Sequence, residues 1–152
     1  MARKRSQRLQ VLLKLAALKE QTAVRQLAAS TERLQQAKQQ RAQLADYERD
    51  YQQQYEQHTG QPADRSFFLN FQGFFRQLEN VQVQQQATIQ LRDHEREQAR
   101  LRWVDLYARR RLLNNVRERW VQSEAVESDK KLQRELDDRA AQTLLRNGKN
   151  KT

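Results

Sequence analysis

"HTGQPADRS", residues 58–66, is the one strong interruption in the chain. It holds Gly60 and the sole proline, Pro62, and it ends on Asp64 and Ser66, two candidate N-caps for whatever follows. Only three glycines occur in 152 residues, so there are few other places to turn. Working outward, both flanks are rich in Ala, Leu, Gln, Glu, Lys and Arg, side chains that lose little freedom in a helix. The pattern predicts a helix at about 5–57, a turn at about 58–65 and a helix at about 66–147, within a single coiled-coil domain of residues 1–152. Helices of such length outside a globular core are normally coiled coils.

The first flank carries the matching repeat. Alternate steps of four and three from Leu9 reach Leu13, Ala16, Glu20, Ala23, Leu27, Ser30, Leu34, Ala37, Arg41, Leu44, Glu48, Tyr51 and Tyr55. Ten of these fourteen positions are apolar or aromatic, where a 37% apolar content gives about five. A seven-residue repeat implies a left-handed supercoil. In the second flank Phe68, Phe71, Phe75, Leu78, Ile89, Ala99, Trp103, Leu106, Leu113 and Trp120 share one register. Gln82, Gln85, Arg92, Arg96, Arg110 and Arg117 interrupt it. After Trp120 the apolar positions move by one residue, to Val121, Ala125, Leu132 and Leu136, which reads as a register change.

A break this short between two long helices implies an antiparallel hairpin. With the turn centred near Gln61, partners obey i + j of about 123. Tyr55 is then expected near Phe68, Tyr51 near Phe71, Leu34 near Ile89 and Glu20 near Trp103. The first helix runs out opposite Arg117, so roughly 25–30 residues of the second should overhang, with a C-cap near Asn147 and Gly148. The expected fold class is therefore all-α: a long antiparallel two-helix coiled-coil hairpin with an overhanging C-terminal helix. One pole is aromatic and the other basic.

Composition limits the chemistry. There is no cysteine, so disulfides and thiolate metal sites are excluded. Lys14 and Lys19 break the apolar run that a secretory signal needs, and no stretch approaches the ~20 apolar residues of a membrane span. A cytoplasmic protein is expected. His58 and His94 have no metal-ligand spacing, no glycine-rich phosphate loop occurs, and the pairs Asp137–Asp138 and Glu48–Asp50 lie on helix surfaces with no pocket to shift their pKa. The reading is of a non-enzyme without cofactor or metal. A net charge of +10 favours acidic partners.

Two features remain for recognition. All five phenylalanines, Phe67, Phe68, Phe71, Phe74 and Phe75, fall within nine positions, beside Tyr47, Tyr51 and Tyr55. Phe67, Phe71, Phe74, Leu78 and Val81 make one stripe, with Phe68 and Phe75 about a quarter-turn round. Either both faces fold over the tyrosines as a local plug, or one stays open as a docking patch. Gly73, amid the cluster, implies a close backbone approach or simple tolerance. The basic residues Arg3, Lys4, Arg5 and Arg8 open the first helix, and Arg109, Arg110, Arg111, Arg117 and Arg119 cluster in the second. Antiparallel pairing brings the two groups near each other, as a solvated face or as a site for an acidic protein surface or phosphates.

"LADYERDYQQQY", the short loop, "FLNFQGFFRQLEN" and the distal "ESDKKLQRELDDRAAQ" together resemble the flagellar FliJ family. Length and helical layout match from end to end. The resemblance implies a cytoplasmic component of the flagellar type III export apparatus, peripheral at the inner-membrane side of the basal body through protein contacts. It implies an antiparallel coiled coil whose end bearing both termini enters the pore of the hexameric export ATPase. It also implies contact with the cytoplasmic part of the export gate and with export chaperones. No nucleic acid partner is expected, because acidic residues are interspersed among the basic ones, as in "VRERW" and "RELDDRA". The family's gate-contacting Phe and Leu correspond to Phe74 and Leu78, with Phe71 beside them where Tyr is more usual; Gly73 is a further departure. Arg3, Lys4, Arg5, Arg8, Arg109, Arg110 and Arg117 are the candidates for the ATPase pore. The competing readings are the equivalent stalk of a virulence secretion system and a basic coiled coil that binds nucleic acid or serves as a scaffold.

Overall fold

The computed structural model describes residues 4–58 and 65–150. The chain is all-α: helix α1 (Arg5–His58) and helix α2 (Arg65–Lys149) pack against each other as a hairpin. The turn residues Gly60, Pro62 and Asp64 lie outside the described residues, as does Arg3. Ser66, a candidate N-cap, instead stands inside the first turn of α2, because the helix already begins at Arg65.

The chain divides into two units, Glu20–Asp105 and the residues up to Lys19 together with those from Leu106 onward. In the Glu20–Asp105 unit the pairing follows the expected sum. Tyr55 meets Phe68 with ring centroids 5.6 Å apart, and Leu34, Ala37 and Ile89 form a buried cluster. Gln85 Nε2 donates to the Ala37 carbonyl at 2.8 Å, and Gln82 Nε2 donates to Glu48 Oε2 at 2.7 Å. Polar interruptions of the seam are thus hydrogen-bonded across it, which limits their desolvation cost. Arg92 and Arg96 lie half-buried at the seam. Their heads reach carboxylates on their own helix: Glu95 at 3.0 Å from Arg92 and Asp93 at 3.2 Å from Arg96.

Burial tracks the heptad stepping. Every α1 seam position from Leu9 to Tyr55 is buried or half-buried except Arg41, and so is every α2 seam position from Phe68 to Trp120. The Glu20 and Trp103 positions belong to this pattern. Tyr47 does not: it is 60% exposed, because Leu44, Glu48 and Tyr51 hold the seam and Tyr47 falls outside it.

In the other unit, Ser6 and Glu124 extend the seam. The Ser6 hydroxyl donates to Glu124 Oε2 at 2.5 Å and the Ser6 amide to Glu124 Oε1 at 3.3 Å. The last contact across the seam thus lies a little beyond Arg117, where α1 was expected to run out, and it has the same side-chain offset as Gln82 with Glu48 further along the helices. The register change expected after Trp120 does not occur. Val121, Ala125, Leu132 and Leu136 are exposed, and from Ala125 to Asn150 every residue is exposed. Their apolar spacing continues, but none of it is covered by α1 among the described residues. Nor is Gly148 a left-handed C-cap. No described glycine has positive φ, and α2 continues through Gly148 to Lys149, with nothing packed there to reverse the chain. Val11, Leu12, Leu15 and Leu18 are exposed on α1, outside the seam held by Leu9, Leu13 and Ala16.

Candidate functional site

The aromatic cluster is assembled by the end of α1 and the start of α2. Tyr51 stacks on Phe74, with centroids 4.1 Å apart and planes at 29°, and meets Phe71 edge-on at 6.0 Å. Tyr55 touches Phe68, Phe71 and Phe75, at 5.6, 5.5 and 6.3 Å. Phe67 stacks on His58 at 4.8 Å, and the His58 ring nitrogen Nδ1 lies 2.8 Å from the Gln54 carbonyl. All five phenylalanines are half-buried. Edge-to-face and offset pairs of this kind add about 0.5–1.5 kcal/mol each beyond their area.

Of the two readings left open by the sequence, this arrangement is closer to the plug over the tyrosines than to the docking patch. An open patch would have Phe68 and Phe75 face the tyrosines while the stripe of Phe74 and Leu78 stayed outward. Here Phe74 packs on Tyr51, Phe71 bridges both tyrosines, and Leu78 is a core residue at 8% exposure. The reason is steric. Two tyrosines one turn apart are broad enough to meet both stripes of α2, so neither is left wholly outside. The apolar side chains exposed nearby are Leu69, Val81 and Val83. Gly73 is exposed, and a β-carbon there would meet nothing within 4 Å, so no close backbone approach requires it.

The basic candidates separate into two settings. Lys4 and Arg5 line a groove with Trp120, Glu124, Glu127 and Lys131, beyond the Arg109–Arg117 stretch that the sequence expectation put beside them. Arg8 and Arg109 are exposed. Arg110 is half-buried, with its guanidinium 5.6 Å from the Tyr107 ring, and Arg117 occupies a half-buried seam position. The Glu124 carboxyl is held below its ordinary pKa chiefly by the Ser6 hydroxyl, aided by the Ser6 amide and the Lys4 charge, against partial desolvation. A carboxylate at the first turn of α1 also complements the positive end of that helix.

The family model described as flagellar FliJ protein matches residues 5–149, both helices from end to end. This chain belongs to the FliJ family. Comparison with curated proteins and with solved structures gives no significant match. FliJ membership makes the chain a flagellar export-related stalk protein, in a family of structural and escort proteins rather than enzymes. Among the described residues no helix is long and apolar enough to cross a membrane.

Sequence reasoning about this FliJ chain missed Ser6 and Glu124. The signal was present: one step of three back from Leu9 reaches Ser6, and one of four on from Trp120 reaches Glu124. Both are polar, and a search for apolar periodicity passes over them.

Proposed function

We propose that the chain is a non-enzymatic central stalk and coupling component of flagellar type III protein export, needed for flagellum assembly and swimming. In this reading the end carrying the start of α1 enters the pore of the hexameric export ATPase, with Lys4, Arg5, Arg8, Arg109, Arg110 and Arg117 meeting acidic or polar pore loops. The aromatic end engages the cytoplasmic part of the membrane export gate through Phe71, Phe74 and Leu78. Export chaperones are escorted on the same scaffold, and the protein works at the inner-membrane side of the basal body.

The observation that carries the reading is the family match over residues 5–149. Two structural facts support it. The basic groups at the start of α1 are exposed, and the aromatic cluster stands half-exposed at the end of α1 rather than sealed in a core. Because Leu78 is buried, a gate contact would use the rims of Phe71 and Phe74 together with Leu69, and Leu78 would act by holding them in place.

The test is co-purification of the full chain with the hexameric export ATPase and, separately, with the soluble part of the export gate. Arg5→Glu with Arg8→Glu should lose the ATPase and keep the gate. Phe74→Ala should lose the gate and keep the ATPase, with helicity by circular dichroism retained. A wild-type chain that binds neither partner overturns the proposal.

A further inference from the structure

A groove of about 670 Å³ runs between the helices within the Glu20–Asp105 unit. Its floor is made of short side chains, Ala29 and Ser30 from α1 and Ala99 from α2, and its walls carry Arg25, Arg33 and Arg102. No lining residue is acidic. None of the three guanidinium groups makes an ion pair or hydrogen bond with another described residue. Elsewhere in the same unit Arg92, Arg96 and Arg100 all find carboxylates on their own helix. Ser30 supplies an independent sign. It is only 8% exposed, yet it lines the groove, and its hydroxyl engages no other described residue in a hydrogen bond. A hydroxyl with no protein partner, on a largely buried residue beside three unengaged arginines, is complementary to an incoming oxyanion.

The spacing selects the form of that anion. Arg25 and Arg33 are eight residues apart, about 12 Å along the axis at 1.5 Å per residue. The α1 lining, Thr22–Arg33, spans about three turns. A single compact oxyanion occupies too little of that length to engage both ends at once. Carboxylates on successive turns of a helix match it, and a floor of Ala and Ser lets a third helix approach closely. We infer that this groove binds an acidic helical segment of a protein partner. Its glutamates or aspartates would pair with Arg25, Arg33 and Arg102, with one carboxylate accepting from the Ser30 hydroxyl. This site is distinct in its residues from the gate and ATPase candidates and does not depend on them.

The probe is a fluorescent alanine-based helical peptide with glutamates spaced by four and seven, compared with its glutamine counterpart, titrated against the full chain by anisotropy. The glutamate peptide should bind and the glutamine peptide should not. Arg25→Gln, Arg33→Gln and Arg102→Gln should each weaken binding about two- to fivefold, and the triple variant about tenfold or more. Ser30→Val should weaken it by a similar factor. Removing the same charge elsewhere, with Arg134→Gln, Arg139→Gln and Arg146→Gln together, should change it less than about twofold. Circular dichroism verifies that each variant keeps its helicity. Equal losses from the two triple variants would reduce the binding to general electrostatics and overturn the site. Displacement of the peptide by an equal concentration of tripolyphosphate would overturn the assignment to a helix.

Discussion

At Gly73 a methyl group meets open space, and the backbone is ordinary helix. Gly73→Ala is therefore expected to stabilise the protein by about 0.5–1 kcal/mol, read as a rise in the thermal midpoint. Leu78 gives the opposite sign: its truncation to alanine should cost about 2–3 kcal/mol, the lower part of the range for buried leucine because the site borders solvent. Loss of function in Leu78→Ala thus reports stability, and Phe74→Ala, at a half-buried ring, is the more informative variant for partner contact. Glu124 titrates in a defined direction. Its folded pKa is depressed, so its contribution is fully present above the ordinary glutamate value and is lost as pH falls through the lower, folded one. Amide exchange over Ser6–Leu9, corrected for intrinsic rates, should accelerate on acidification below the ordinary glutamate range. In Glu124→Gln the excess exchange should be present at neutral pH and show little further change.

For the two helices, the step of four and three was legible from Leu9 to Tyr55 because apolar side chains at those positions have a helix to meet. Arg41 was the one position there that the structure leaves exposed. The same logic misled beyond Trp120. Val121, Ala125, Leu132 and Leu136 keep an apolar spacing, but periodicity records only a helix's own faces and not whether anything lies opposite. The seam's real end is marked by a polar contact, Ser6 with Glu124, which a hydrophobic pattern does not register. The part of α2 beyond that contact is helix held by its own backbone and by local pairs such as Gln133 with Asp137. A chain ending at Lys131 should melt within about 2 °C of the full one, and its lost ellipticity should be no more than the share of residues removed. A larger drop in the midpoint would mean that the distal segment is packed.

Across the whole molecule, fold class followed from one break and two repeats, whereas the site came through only in part. Which residues gather was visible: five phenylalanines and two of three tyrosines do meet. How they divide was not, since the quarter-turn between two stripes does not say how broad a surface the opposing rings present. The Arg25, Arg33 and Arg102 groove was hidden because its parts come from both helices and look, one at a time, like solvated cations. Function at the level of flagellar export rests on family membership, and swimming restored by the wild-type gene but not by Phe74→Ala in a deletion strain is the expected physiological outcome. The thinness of the interior carries one more consequence. Among the described residues no side chain is fully buried, and the core consists of Leu9, Ala23, Leu34, Ala37, Leu78 and Ile89. Unfolding therefore newly wets little hydrocarbon. Calorimetry should give a heat-capacity increment well below the ~12–15 cal/mol/K per residue of globular proteins, and a broad, shallow stability curve that resists cold.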